Sequence, residues 1–190
     1  MIKGAEATIE IENNRVVKTR EPKNYRHPEL DSKIRKERTE KEARLIEDAR
    51  RHNVNAPEAE KVDESTLEME KIEGDVLKEV LNDKLELMKV YGQNIAYLHS
   101  TDIIHGDLTT SNAMVSGTEV YIIDFGLSFR SQRAEDKAVD IHLLKQVLNS
   151  SHPEIAEKAW QNFIEGYTAY EESGEVLEQL KDVEERGRYK

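Results

Sequence analysis

Apolar and polar positions alternate over Thr8-Ile9-Glu10-Ile11-Glu12, and a second extended run, Arg15-Val16-Val17-Lys18, follows Asn13-Asn14. The period of two and the turn-forming pair predict a β-hairpin. From Leu30 to Arg51 the period changes: Leu30, Ile34, Ala43, Leu45, Ile46 and Ala49 stand among charges at mostly helical intervals, with no Gly or Pro between. One long exposed helix is predicted there. Pro57 follows, and spans 59–64 and 66–72 predict two further strands. Beyond Gly74 the apolar positions Val80, Leu81, Leu85, Leu87, Met88, Tyr91, Ile95 and Leu98 are broad enough around the turns to predict a buried helix over 76–100. Short strands are predicted over 112–116 and 119–124, turned by Ser116-Gly117, then helices over 134–149 and 153–172 and from Glu175 onward. The fold class is α+β in a single domain. Gly74 marks the boundary between a small antiparallel β lobe with one long helix (residues 1–73) and a mostly helical lobe with a basic C-terminal tail (residues 74–190).

Composition adds bounds. At 190 residues, 37% apolar and 35% charged, the chain suits one domain with enough patterned apolar material for a core. The absence of cysteine excludes disulfides, thiolate metal centres and cysteine nucleophiles, and suits a reducing cytoplasm, the expected location. Apolar runs reach only four residues, as in Ile95 to Leu98, far short of a membrane span, so no membrane partner is expected. The net charge of −11 conceals a reversal: residues 15–52 carry 13 Lys+Arg against 8 Asp+Glu. A basic segment in an acidic chain suits an anionic partner such as RNA; a solvated helix laced with ion pairs accounts for it equally well.

The chemistry concentrates in two segments: His105-Gly106-Asp107-Leu108-Thr109-Thr110-Ser111-Asn112, and Asp124-Phe125-Gly126 directly after Val120-Tyr121-Ile122-Ile123. An Asp-Phe-Gly triplet arises by chance on the order of a few per cent of the time in a chain this size, so alone it is weak. Here it follows a predicted strand and an H-x-D-x-x-x-x-N loop, the order of the protein-kinase motif set. That spacing serves phosphoryl transfer, in which the protein positions groups and neutralises charge. Asp107 orients or deprotonates the nucleophile, and Asn112 and Asp124 offer the hard oxygen ligands that suit Mg²⁺.

The remaining parts are sought on the small lobe. Lys18 ends the second hairpin strand, in reach of nucleotide phosphates, and Glu42 on the long helix is placed to hold it in an ion pair. Met69-Glu70-Lys71-Ile72-Glu73-Gly74 falls where a strand passes into the lobe linker. Backbone groups of Glu70 and Ile72 would meet the adenine edge beside Met69, with Val16 above the ring and Met114 below; core filling is the competing role for Met114.

These segments resemble a known family over nearly the whole chain, together with Gly4-Ala5-Glu6-Ala7, Pro22-Lys23-Asn24-Tyr25-Arg26-His27-Pro28-Glu29-Leu30-Asp31, Arg38-Thr39 and Glu42-Ala43-Arg44. The family is the PRPK-type small atypical kinase/ATPase subunit of the KEOPS tRNA-modification complex, a relative of the RIO-like kinases. The resemblance implies a minimal two-lobed protein-kinase-like fold, ATP and Mg²⁺ as cofactors, serine/threonine kinase and ATPase activity, and service in threonylcarbamoyladenosine formation on tRNA. It implies as partners the threonylcarbamoyl-transferase subunit of KEOPS, a small KEOPS subunit on the N-terminal lobe, and tRNA through the complex. Carried over residue by residue, Lys18 and Glu42 are the ion pair, Asp107 the catalytic aspartate, Asn112 and Asp124 the metal ligands, with Gly4 and Ala5 in the loop over the phosphates. Some archaeal members fuse kinase and transferase; this chain reads as free-standing.

Departures from ordinary protein kinases sharpen the expectation. Gly4 is the sole glycine in a loop that usually has three, Gly106 replaces the arginine that reads a loop phosphate, and Thr109 stands where a lysine often does. Only residues 127–133 separate the triplet from the next predicted helix, too few for a peptide platform. His105 is expected to pack and hydrogen-bond behind the triplet, Asp140 to bond the catalytic-loop backbone, and Ser128 and Ser131 to be solvated loop serines. Lys23, Arg26, Lys33, Arg35, Lys36 and Arg38, with the tail 186–190, are expected on a tRNA- or partner-facing surface. The alternatives are a nucleotide-regulated scaffold with little phosphotransfer and a small-molecule phosphotransferase.

Overall fold

The computed structural model describes residues 2–3 and 7–187. Its first sheet grows from the hairpin. After β1 (Ile2–Lys3), strands β2 (Thr8–Glu12) and β3 (Arg15–Thr19) pair antiparallel, with Asn13 and Asn14 at φ 48° and 63°, the left-handed pair that a two-residue hairpin turn demands. Helix α1 (Pro28–Arg51) follows, started by Pro28 at its first turn with Glu29 and Asp31 beside it, a proline position that leaves no bond unmade. Strands β4 (Ala59–Lys61) and β5 (Thr66–Glu70) complete the antiparallel order β1-β2-β3-β5-β4. Both are shorter than predicted. Asp63 caps a turn by accepting from the Ser65 N–H at 2.7 Å, and β5 gives way at Glu70 to the lobe linker.

Helix α1 is less exposed than its composition predicts. Asp31, Thr39, Glu42, Leu45, Ile46 and Ala49 are buried on one face; three of the six are polar, so apolar periodicity misses half the stripe. The loop after α1 is stitched to the second lobe. Asn55 donates its N–H to the Asn94 side chain at 3.2 Å and accepts at its carbonyl from Ile122 N–H at 2.8 Å.

The second lobe opens with β6 (Asp75–Val76), α2 (Leu77–Val80) and α3 (Leu87–Ser100). The single helix predicted over 76–100 is therefore divided. Asn82-Asp83 turn the chain, with Asp83 and Lys84 N–H both on the Val80 carbonyl at 3.1 Å, as short polar side chains that compete for backbone bonds do. After β7 (Ile103–Ile104), strands β8 (Ala113–Ser116) and β9 (Glu119–Ile122) form a three-stranded sheet in the order β6-β8-β9, turned at Gly117, φ 62°. Strand β10 (Phe129–Arg130) pairs back with β7. Helices α4 (Ala134–Ser151), α5 (Ala156–Tyr167) and α6 (Ser173–Gly187) finish the lobe. Helix α5 starts three residues after the predicted start, beyond the Pro153 turn, and the chain turns again after Tyr167.

The core centres on α3, whose Met88, Tyr91, Ile95 and Leu98 are sealed from water. Where α3 crosses α5 the backbones nearly touch: a Cβ on Gly92 would strike the Phe163 carbonyl, and one on Gly166 the Lys89 carbonyl. Gly92→Ala is expected to destabilise the fold by about 1–3 kcal/mol in urea unfolding, because forced separation outweighs the better helix propensity of alanine. Among the described residues no helix is long and apolar enough to cross a membrane.

Candidate active site

Lys18 occupies the second-last position of β3, and the alternation that sends Val17 outward turns its ammonium inward. Its Nζ donates to Glu42 Oε1 at 2.8 Å and to Asp124 Oδ1 at 2.7 Å. Burial opposes the charge, but the two carboxylates outweigh it and raise the Lys18 pKa above its ordinary value. Asp124 shows the converse: burial would raise its pKa, and Lys18 holds it below the ordinary carboxylate value. Asp124 sits at φ 62°, ψ 72°, a left-handed conformation that costs a non-glycine residue roughly 1–3 kcal/mol and clusters at functional sites. The turn brings the Gly126 N–H onto its Oδ1 at 3.3 Å.

The loop over residues 105–112 is held from beneath. Asp140 on α4 accepts the N–H of His105 at 2.8 Å and of Gly106 at 2.9 Å. His105 is buried, donates from Nε2 to the Ile123 carbonyl at 3.1 Å and meets Phe125 edge-on, the packing role expected of it. Ser128 departs from expectation: it is buried and donates to the His105 carbonyl at 2.9 Å. Gly106 stands at φ 80° with the Leu127 carbonyl where a Cβ would be, so the arginine of ordinary kinases is excluded sterically as well as absent.

Asn112 Nδ2 donates to both the Asp107 carbonyl and its carboxylate at 2.9 Å, orienting Asp107. Asn112 Oδ1 and Asp124 Oδ2 then carry no protein hydrogen bond among the described residues. Two hard oxygens of this kind fit Mg²⁺, which completes its shell with water and phosphate. No group of three or more His, Cys, Asp or Glu among the described residues offers a metal site without such help.

Between the lobes lies a cleft of about 360 Å³. Val16, Lys18, Met69, Glu70, Ile72, Met114 and Asp124 all line it; Gly4 and Ala5 lie outside the described residues. The Glu70 N–H is committed to the Glu58 carbonyl at 2.7 Å, which leaves its carbonyl as the group able to meet a base. Sequence reasoning missed Ile9, Ile11 and Pro57, which also line the cleft; the hairpin alternation places Ile9 and Ile11 on one face and would have found them.

The basic segment is largely engaged within the chain. Arg35 and Arg26 pair with Asp31 at 2.8 and 3.5 Å, Lys36 with Glu64 at 2.8 Å and Lys33 with Glu37 at 3.9 Å; Lys23 and Arg38 have partners too. The ion-pair-laced helix describes these residues better than an open anion surface does. Residues 188–190 of the tail lie outside the described residues.

A buried relay stands behind Asp140. His99 Nε2 faces its Oδ2 at 3.2 Å and His99 Nδ1 meets the Tyr167 hydroxyl at 2.8 Å. A carboxylate only accepts, so Nε2 carries the proton and Tyr167 donates to Nδ1. Burial pushes the His99 pKa below its ordinary value of 6.5, against the pull of Asp140, and burial lowers that of His152 likewise. The unfolded chain thus takes up protons that the native state refuses. This contribution to stability is complete above about pH 6.5 and is lost as pH falls below it. Asp140 and Asp124, held below 3.8, add a second loss as pH falls from there. Urea midpoints are expected to decline from about pH 6.5 downward, and less steeply in His99→Gln.

Comparison with known proteins places this geometry. A probable serine/threonine-protein kinase Bud32 homologue of Archaeoglobus fulgidus is 43% identical over 186 residues, covering 98% of this chain and 94% of that one. The KEOPS complex subunit Bud32 of Pyrococcus abyssi is 40% identical over 185 residues, covering 92% and 84%. The RIO-domain family profile matches residues 7–159. The chain belongs to the RIO-domain family, in its Bud32 branch. A probable bifunctional tRNA threonylcarbamoyladenosine biosynthesis protein of Methanobrevibacter smithii is 45% identical over 98% of this chain, which spans about a third (36%) of that relative's length. Among solved structures, amicoumacin kinase hAmiN, in complex with AMP-PNP, Ca²⁺ and Ami, superposes with a TM-score of 0.58 at 13% identity, covering 88% of this chain and 73% of that one. The shared architecture is the kinase-like fold, with a small antiparallel-sheet lobe and a helical lobe. Bud32 homologues thus carry the names of a serine/threonine kinase and of a KEOPS subunit.

Proposed function

We propose that this RIO-family chain is an Mg-ATP-dependent atypical serine/threonine kinase and ATPase that supports threonylcarbamoyladenosine modification of tRNA within a KEOPS assembly in the cytoplasm. The observation that carries the reading is the closed set Lys18–Glu42 and Lys18–Asp124, at 2.8 and 2.7 Å, on the wall of the interlobe cleft.

In this reading Val16 and Met114 sandwich the base, while the Glu70 carbonyl and the Ile72 N–H meet its edge. Lys18, aimed by Glu42, neutralises phosphate charge. Asn112 and Asp124 would hold Mg²⁺, which supplies charge neutralisation between phosphate groups and lowers the cost of the developing negative charge. Asp107, kept in place by Asn112, orients the attacking hydroxyl or water and receives its proton. Residues 1–73 and 74–190 act as the two lobes of a single domain. Partners of this function are the threonylcarbamoyl-transferase subunit, a small subunit on the N-terminal lobe, and tRNA through the complex. The short segment between Phe125 and α4 leaves no platform for a peptide, which favours ATP turnover inside an assembly over free peptide phosphorylation.

ATP turnover by the purified chain, alone and with its transferase partner, tests the reading. Turnover that appears with Mg²⁺ and stops on chelation supports it; none under any of these conditions refutes it.

A further inference from the structure

Glu42 carries two cations, and only one belongs to the scheme above. Lys18 takes Oε1 at 2.8 Å. The guanidinium of Arg20 takes Oε2, and its other arm donates to Thr39 Oγ1 at 3.0 Å. Thr39 in turn donates to the Arg35 carbonyl one turn back on α1 at 2.9 Å, which turns its lone pairs toward Arg20. All four side chains are withdrawn from water, with Lys18 6%, Arg20 4%, Thr39 0% and Glu42 1% exposed. Burying a guanidinium is unfavourable unless its charge and its donors are met, and here both are. Lys18 and Arg20 leave the sheet two residues apart, so an extended backbone presents them to the same side.

The charge balance says what this arrangement does. Lys18 and Arg20 face Glu42 and Asp124, two positive groups against two negative, so the cluster is neutral where polyphosphate would arrive. Without Arg20 the same cluster would be net negative. Lys18 alone would then have to neutralise the buried Glu42, and its ammonium would be held away from an incoming phosphate. Arginine suits the task because it stays charged and forks between two acceptors, here one carboxylate oxygen and one hydroxyl on the same helix. A second clasp acts at the far end of α1, where Arg130 of β10 donates to Asp48 at 2.5 Å and to the Thr101 carbonyl at 3.0 Å.

We propose that Arg20 is a positioning residue for phosphate binding. It neutralises and aims Glu42 from the side opposite Lys18, which leaves the Lys18 ammonium available to polyphosphate and keeps α1 docked before any nucleotide arrives. The proposal rests on the reading that the cleft takes ATP, and it replaces a swinging helix, the usual point of control in kinases, with one clamped by its own chain.

The test compares Mg-ATP with adenosine, which fills the base site and has no phosphate, in calorimetric titrations of the full chain. Arg20→Met is expected to weaken Mg-ATP about ten-fold, the loss of one charge-assisted contact, and to leave adenosine affinity unchanged. Arg20→Lys should recover part of the loss. Thr39→Val, which removes only the hydroxyl that steadies Arg20, should weaken Mg-ATP about two- to three-fold, and it serves as the deciding variant if Arg20→Met does not fold. Equal loss of Mg-ATP and adenosine in these variants would reduce Arg20 to a purely structural part and overturn the proposal, as would unchanged Mg-ATP affinity. A wild-type chain that binds neither ligand removes the ATP reading itself, and the proposal with it; a wild-type chain that binds both while the variants match it removes only the proposal.

Discussion

Asp124→Asn is expected to cut ATP turnover by at least about 10²-fold while leaving the fold intact. The size follows from what a single carboxylate does here. Its Oδ1 meets Lys18 at 2.7 Å, and in the proposed scheme its Oδ2 would ligate Mg²⁺, so the substitution would weaken the hold on the metal and loosen one of the two anchors of Lys18. The fold survives because the side chain is half-exposed, and because asparagine tolerates the left-handed backbone at φ 62° better than any residue but glycine. Phosphate release measured beside the thermal midpoint separates the two effects. A loss of turnover matched by unfolding would mean that Asp124 is a structural residue.

Asp140→Ala is expected to produce the largest loss of stability, about 3–5 kcal/mol. Its carboxylate takes the His105 and Gly106 N–H groups and the His99 ring; Asp140, His99 and His105 are buried and Gly106 is partly so. Removal orphans the buried His105 and His99 donors, each at about 1–3 kcal/mol, and frees the partly exposed Gly106 N–H, which water can reach. Because the same carboxylate fixes the loop that presents Asp107, turnover falls with stability, unlike in Asp124→Asn. Urea unfolding with a two-state fit gives the number, and a change under about 1 kcal/mol would contradict the account of the loop.

Local chemistry made the hairpin, the long helix and the course of the 105–112 loop legible in the sequence. Asn13-Asn14 dictate their turn, the 30–51 run has no breaker, and H-x-D-x-x-x-x-N followed by Asp-Phe-Gly has few other uses. What stayed hidden depends on contacts distant in the chain. Strands β1, β6, β7 and β10 have two residues each, too few to show any period. The break in 76–100 depends on Asn82-Asp83, whose polar preference competes with apolar neighbours that suit a helix equally well. Arg20 drew no attention because the carboxylate that meets its charge, Glu42, lies 22 residues further along. Composition left the open basic surface and the ion-paired helix undecided: Arg35 and Lys33 pair within one helical turn, but Lys36 has a distant partner. Glu64, which takes Lys36, is 28 residues away, and composition cannot pair them.

In the proposed function, nucleotide turnover at the Lys18–Asp124 centre supports the tRNA modification. The most direct measurement is threonylcarbamoyladenosine formed per tRNA in a reconstituted assembly, with ATP consumption followed in the same sample, for the wild-type chain and for Asp124→Asn. The account predicts that both quantities fall together in the variant while the assembly stays intact on gel filtration; modification at the wild-type level with turnover abolished would contradict it.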